Sequence, residues 1–181
     1  MTLSNLAIFL GVGLSLPQVY ALANPAAFRV AARKFPRYEP VGWGLMLLAT
    51  FWFLSILKAE PVADFAAYKP FMYVGFVVLG VGTCIFLKDF LAVRGLALIL
   101  LLLAKVVCDT ARWAESPWRL VLVTVAYAWV VAGIWFTISP WRLRDLIEWM
   151  TANDQRIRVG SSLRLALGLL VAALGFTGTL R

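Results

Sequence analysis

Two residues stand out for their chemistry. Lys105 and Asp109 lie four apart inside "LALILLLLAKVVCD", the most apolar part of a 181-residue chain. Four residues is one helical turn, so an ammonium and a carboxylate at this spacing share a face and reach each other. Ionisable groups within a membrane-crossing helix are costly and are functional candidates for that reason. Two readings follow. In one, the pair contacts a passing solute or ion. In the other, which we favour, it neutralises itself and snorkels outward. Arg94 marks one interface and Trp113 the other, nineteen residues or about 28 Å apart. Lys105 then lies about 16 Å from the Arg94 level and about 12 Å from that of Trp113.

Other chemistry is sparse. The chain has no histidine, which removes the commonest general base, zinc ligand and haem ligand. Its two cysteines, Cys84 and Cys108, sit in apolar runs and read as small buried side chains without a disulfide. Carboxylates do not cluster, and no phosphate loop, nucleophile elbow or catalytic acid pair is present. "DTAR" (109 to 112) matches a fragment of a phospholipid-headgroup transferase motif without the downstream acids that motif needs. The expectation is no enzyme activity, no metal and no cofactor.

The elements that must position Lys105 and Asp109 are membrane spans. The composition is 62% hydrophobic and 14% charged, with a mean hydropathy of +0.87, far from a soluble domain. The apolar runs are long enough for helices to cross a bilayer and lack the alternation of a β-barrel. Six spans are expected, near 3–22, 41–58, 70–87, 91–113, 117–138 and 161–180. "EPVADFAAYKP" (60 to 70) and "AESPW" (114 to 118) are loops, and "FLKDF" (86 to 90) is a tight turn. Pro17 with Gln18 predicts a kink in the first span. "ALA" at 21 to 23 has the form of a signal cleavage site, but no Lys or Arg precedes Arg29. The first span therefore reads as a genuine membrane helix.

Two basic dozens interrupt the apolar runs: "NPAAFRVAARKF" (24 to 35) and "SPWRLRDLIEWM" (139 to 150). Asn24-Pro25 and Ser139-Pro140 are helix-start pairs. Phe28, Ala31, Ala32 and Phe35 in one, and Leu143, Leu146, Ile147 and Met150 in the other, repeat at i, i+3, i+4, i+7. The match holds at a constant shift of 115 residues. Each dozen predicts an amphipathic helix at the cytoplasmic membrane surface, its stripe in the acyl boundary and its cations on anionic phospholipid. The headgroup contacts expected are Arg29, Arg33, Lys34, Arg37, Arg142 and Arg144. Packing on the ends of the bundle is the other reading, and both can hold together.

The fold class predicted is thus an all-α polytopic membrane protein of about six transmembrane helices with amphipathic interfacial helices. Its single transmembrane domain, 1–181, contains repeat-like parallel hairpins at 1–58, 70–113 and 117–181. The loops after spans one, three and five carry 11 of the 17 basic residues. The positive-inside rule then places both termini outside the cytoplasm.

Small residues recur every fourth position at Ala7, Gly11 and Ser15, at Gly168 and Ala172, and at Ala128 and Ala132. These are faces for close helix approach, within the chain or with a second subunit. Trp43, Trp113, Trp118, Trp141 and Trp149 fall at interfaces, and Trp52, Trp129 and Trp135 deeper.

"SPWRLRDLIEWM" followed by "RVGSSLRLALGLLVAALG" resembles a family of small two-helix bacterial inner-membrane proteins of unknown function. These pair a span, a Pro-plus-basic interfacial helix and a second span opening with Arg–x(3)–Gly, supplied here by Arg164 and Gly168. The resemblance covers residues 130 to 180 and implies a bacterial inner (plasma) membrane protein. The functional expectation is a non-catalytic integral membrane subunit or scaffold of a larger assembly, with other membrane subunits or further copies of itself as partners and no nucleic acid. The alternative is a small-solute or ion transporter or channel built on Lys105 and Asp109.

Overall fold

A computed structural model describes residues 2–59 and 67–177. Among them the chain is helical, without strands, in the order α1 (Leu3–Ala23), α2 (Pro25–Lys34), a 3-10 turn (Phe35–Arg37), α3 (Glu39–Ala59), α4 (Lys69–Phe86), α5 (Leu91–Ala111), α6 (Arg119–Ile138), α7 (Trp141–Met150) and α8 (Asp154–Phe176). Six of these, α1, α3, α4, α5, α6 and α8, are long and apolar enough to cross a membrane. Their lengths of 18 to 23 residues match a hydrocarbon core about 30 Å thick. Most of the EPVADFAAYKP loop lies outside the described residues.

The sixth span differs from its expected bounds of 161–180. α8 begins at Asp154, seven residues earlier, so its first two turns carry Asp154, Arg156 and Arg158. The charge that argued for a loop there is solvated helix: all three residues are exposed, while Ile157 and, one turn on, Ser161 are buried. Pro17 does not end α1, which continues to Ala23.

Within none of the three sequence hairpins are the two spans each other's main packing partners. α1 packs along its length on α8, α5 on α6, and α3 on α5, whereas α1 barely touches α3, α4 barely touches α5, and α6 barely touches α8. The three sequence hairpins therefore do not close on themselves. The reason is the distribution of small side chains. A Cβ on Gly11 would stand 2.6 Å from the Gly168 carbonyl oxygen and 2.5 Å from the Ala172 amide nitrogen, so these backbones are in contact. Gly175 meets the Ser4 carbonyl in the same way, at 2.7 Å. Gly11 and Ser15 are in contact with Gly168, and Gly11 also with Ala172, and Ala7 is buried one turn away, so the two stripes face each other within one chain. The stripe expected on α6 is displaced. Ala128 is exposed and Ala132 half-buried, and Ala126 and Gly133 make the close face, with Gly133 against Leu101 and the Ala97 carbonyl.

α5 is the central helix. Its C-terminal half joins α1, α6 and α8 in a core of Leu6, Leu10, Val107, Ala111, Leu122 and Val171. Its start is set by the tight 87–90 turn, where Phe90 adopts a left-handed φ of 57°. That conformation disfavours a bulky residue. It is held here because the Phe90 ring packs beside Phe35 and Val93, and the Arg37 guanidinium lies 5.6 Å from the ring centre.

Candidate functional site: a basic platform and an ion pair

α2 and α7 lie together at the end of the bundle where α1 and α6 finish and α3, α5 and α8 begin. α2 starts as its sequence dictates. The Asn24 side-chain oxygen accepts from the Ala27 amide at 3.2 Å, and Pro25 occupies the first turn, where no N–H is needed. α7 begins one residue later than the parallel would have it, at Trp141, and Ser139 offers its backbone carbonyl, not its hydroxyl, to Arg142 at 3.1 Å. The likeness between the dozens is thus in helix, charge and stripe, not in the cap.

The apolar stripes divide between protein and surroundings. Leu143 is buried, and with Ile147 and Phe35 it packs on Val93, Ala97 and Phe136 at the ends of α5 and α6. Leu146, on the same helix, is 40% exposed.

Of the six cations expected on headgroups, several are engaged within the chain. Arg33 donates from Nε to the Thr151 hydroxyl at 3.0 Å and from Nη2 to the Thr151 carbonyl at 3.2 Å. Arg29 forms an ion pair with Asp154, at the start of α8. The Lys34 ammonium lies 5.1 Å from the centre of the Tyr38 ring, and Arg37 covers Phe90. Arg144 bonds Asp145 at 2.8 Å and reaches Glu148 at 3.8 Å. The hydrogen bond to Asp145 raises the guanidinium pKa further, so Arg144 stays charged. Arg142 is exposed and meets no partner among the described residues. The platform is therefore a cross-braced layer that still carries cations outward.

The second element is the α5 pair. Lys105 Nζ lies 2.6 Å from Asp109 Oδ2, and the side chains are 42% and 53% exposed. Lys105 is six residues, or about 9 Å, from the end of α5, and Asp109 is in its last turn. The spacing read from the sequence does bring the two groups together, on the outside of the bundle.

Cys84 and Cys108 are free thiols, the first buried beside Met46 and Leu91. Among the described residues no three His, Cys, Asp or Glu side chains gather as metal ligands. Trp113, Trp118, Trp141 and Trp149 are exposed at helix ends, Trp43 and Trp129 pack inward, and Trp135 stacks on Phe136. One residue carries more than its sequence position implied. Arg94, read as an interface marker, turns into the bundle, and its Nε is buried without a hydrogen-bond partner. Its spacing of eleven residues from Lys105 was the available signal, because three helical turns place both on one face.

Comparison with protein-family models, curated proteins and solved structures gave no match for this chain.

Proposed function

We propose that this chain is a non-catalytic subunit or scaffold of a larger membrane assembly, in a bacterial inner membrane, with the basic platform on the cytoplasmic side. The observation that carries the reading is the half-exposed Lys105–Asp109 pair on a membrane-crossing helix. A charged pair facing acyl chains is unfavourable even when self-neutralised, and a polar group on a neighbouring polypeptide covers it at lower cost. The rest of the charge distribution supports the same reading. Arg29, Arg33 and Arg144 meet partners within the chain instead of converging on a substrate-sized point. Arg142, Lys34 and Arg37 are left at the surface to meet anionic headgroups.

One observation favours the transporter reading: Lys105 also lines a cleft in the bundle. Against it stand the continuity of the spanning helices and the neutral pairing of Lys105, since transporters build midplane sites from broken helices. Native mass analysis of gently solubilised membranes tests the proposal. The expected species is a complex heavier than one 20.1 kDa chain with its lipid. A lone chain that drives solute or proton flux in liposomes overturns it.

A further inference from the structure

A cleft of about 530 Å³ opens between α3, α4 and α5 and reaches Thr137 on α6. It exists because α4 leans on α3 alone. Gly80 sits against Thr50, and the Phe53 and Phe76 rings meet edge-on at 4.6 Å, while α4 barely touches α5. The resulting wedge leaves the face of α5 that turns toward α4 uncovered. Its volume is that of a small-molecule site, and its walls are almost wholly apolar.

The polar groups in the cleft are unequal. The hydroxyls of Thr50, Thr83 and Thr137 each donate to a carbonyl one turn back on their own helix, at 2.8, 2.7 and 2.8 Å. Their protons are therefore committed. Arg94 is different. Its Nε is buried with no acceptor, and among the described residues no carboxylate reaches its guanidinium. A guanidinium with one buried donor unpaired and no counter-charge is costly, and an anionic oxygen ligand satisfies both the charge and that donor.

Depth and direction identify what that ligand is. Arg94 is the fourth residue of α5, at the end of the bundle that carries the basic platform, which is headgroup depth. From there Leu98, Leu101 and Leu102 line the same face as far as Lys105, about 16 Å along the helix. A charged point at the interface with an apolar channel running inward from it is complementary to an amphiphile with an anionic head and an acyl chain. We propose that the cleft holds one anionic phospholipid from the surrounding bilayer, its phosphate on Arg94 and one acyl chain between α4 and α5. The proposal needs only that the helices span a membrane, and it stands whether or not the chain is a subunit.

The test uses the full-length protein in vesicles containing phosphatidylglycerol with a photoactivatable acyl chain, and the adducts are mapped by peptide mass. Label is expected within Phe76–Thr83 and Leu98–Leu102. Arg94→Gln lowers it at least tenfold, and Arg94→Lys, which keeps the charge, retains at least a third. Thr83→Trp fills the cleft with Arg94 intact and breaks no bond between helices, and it lowers the label as far as Arg94→Gln does. Unchanged labelling in Arg94→Gln or in Thr83→Trp overturns the proposal. So does equal labelling by the phosphatidylcholine analogue, which shows no headgroup selection. Loss of label in millimolar inorganic phosphate shows that the anion alone is the ligand, and cross-linking of a co-purified polypeptide in place of lipid shows that a partner helix fills the cleft.

Discussion

Arg33 of α2 and Thr151, at the turn between α7 and α8, are 118 residues apart and joined by two hydrogen bonds, one to the hydroxyl and one to the carbonyl. Thr151 is buried, and its own hydroxyl donates to the Ile147 carbonyl at 2.7 Å, so the contact ties α2 to the end of α7. With the Arg29–Asp154 pair beside it, the platform is fixed as one unit.

Removing this brace should cost stability more than its surface position suggests. Arg33→Ala or Thr151→Val is expected to destabilise the purified protein by about 1.5–3 kcal/mol, the range for hydrogen bonds to a charged group. The double variant should lose less than the sum of the two single ones, because both changes delete the bond to the Thr151 hydroxyl, while the bond to the Thr151 carbonyl is lost only with Arg33. Thermal unfolding in detergent measures this. Full additivity would show that the two residues act separately.

The α1–α8 contact gives a contrast between two glycines two residues apart. Gly11→Val drives a side chain into the α8 backbone and is expected to cost at least about 3 kcal/mol and to separate the two helices. Gly13 has nothing within 4 Å of an added Cβ, so Gly13→Ala is expected to leave the melting temperature unchanged or slightly raised. Equal effects at the two positions would contradict the packing described.

Within α7, Leu143 and Leu146 separate packing from lipid contact. Leu143→Asp places a charge in the core between α5 and α6 and should lower stability in detergent by about 3 kcal/mol or more. Leu146→Asp, at a position 40% exposed, should be tolerated in detergent and should weaken only insertion of α7 into anionic bilayers. Tryptophan quenching by brominated lipid, read at Trp141 and Trp149, reports the second effect.

For the α5 pair, neutrality is the property that matters in the subunit reading. Lys105→Met or Asp109→Leu alone leaves an unpaired charge, at a cost of up to about 3–5 kcal/mol where lipid or a partner excludes water. The double variant avoids that penalty and is expected to accumulate and co-purify with its partners like the parent. A double variant that assembles but loses a flux seen with the parent would favour the transporter.

Sidedness is testable by single-cysteine labelling after Cys84 and Cys108 are replaced. Thr151 is too buried to serve as a reporter, whereas its neighbour Ala152 is exposed. Cysteines at Arg37 and Ala152 should be shielded from an impermeant reagent in intact cells, and one at Glu115, exposed at the opposite end, should react. The reverse pattern inverts the topology.

The sequence alone determined the helical class, the number of membrane-length spans, the two short basic helices and the Lys105–Asp109 contact. All of these depend on local periodicity: apolar run length fixes a span, Asn24-Pro25 starts a helix, and a spacing of four brings two side chains onto one face. The tertiary structure decided which spans pair. Small-residue faces occur on α1, α6 and α8, and a periodic stripe states that a close partner exists without naming it. Only three-dimensional fit set Gly11 on Gly168 and moved the α6 face to Ala126 and Gly133. Arg94 shows the same division. Its type and depth were legible, but its place on the wall of a cleft follows from α4 resting on α3 and leaving α5 uncovered, and no local pattern encodes a gap between helices.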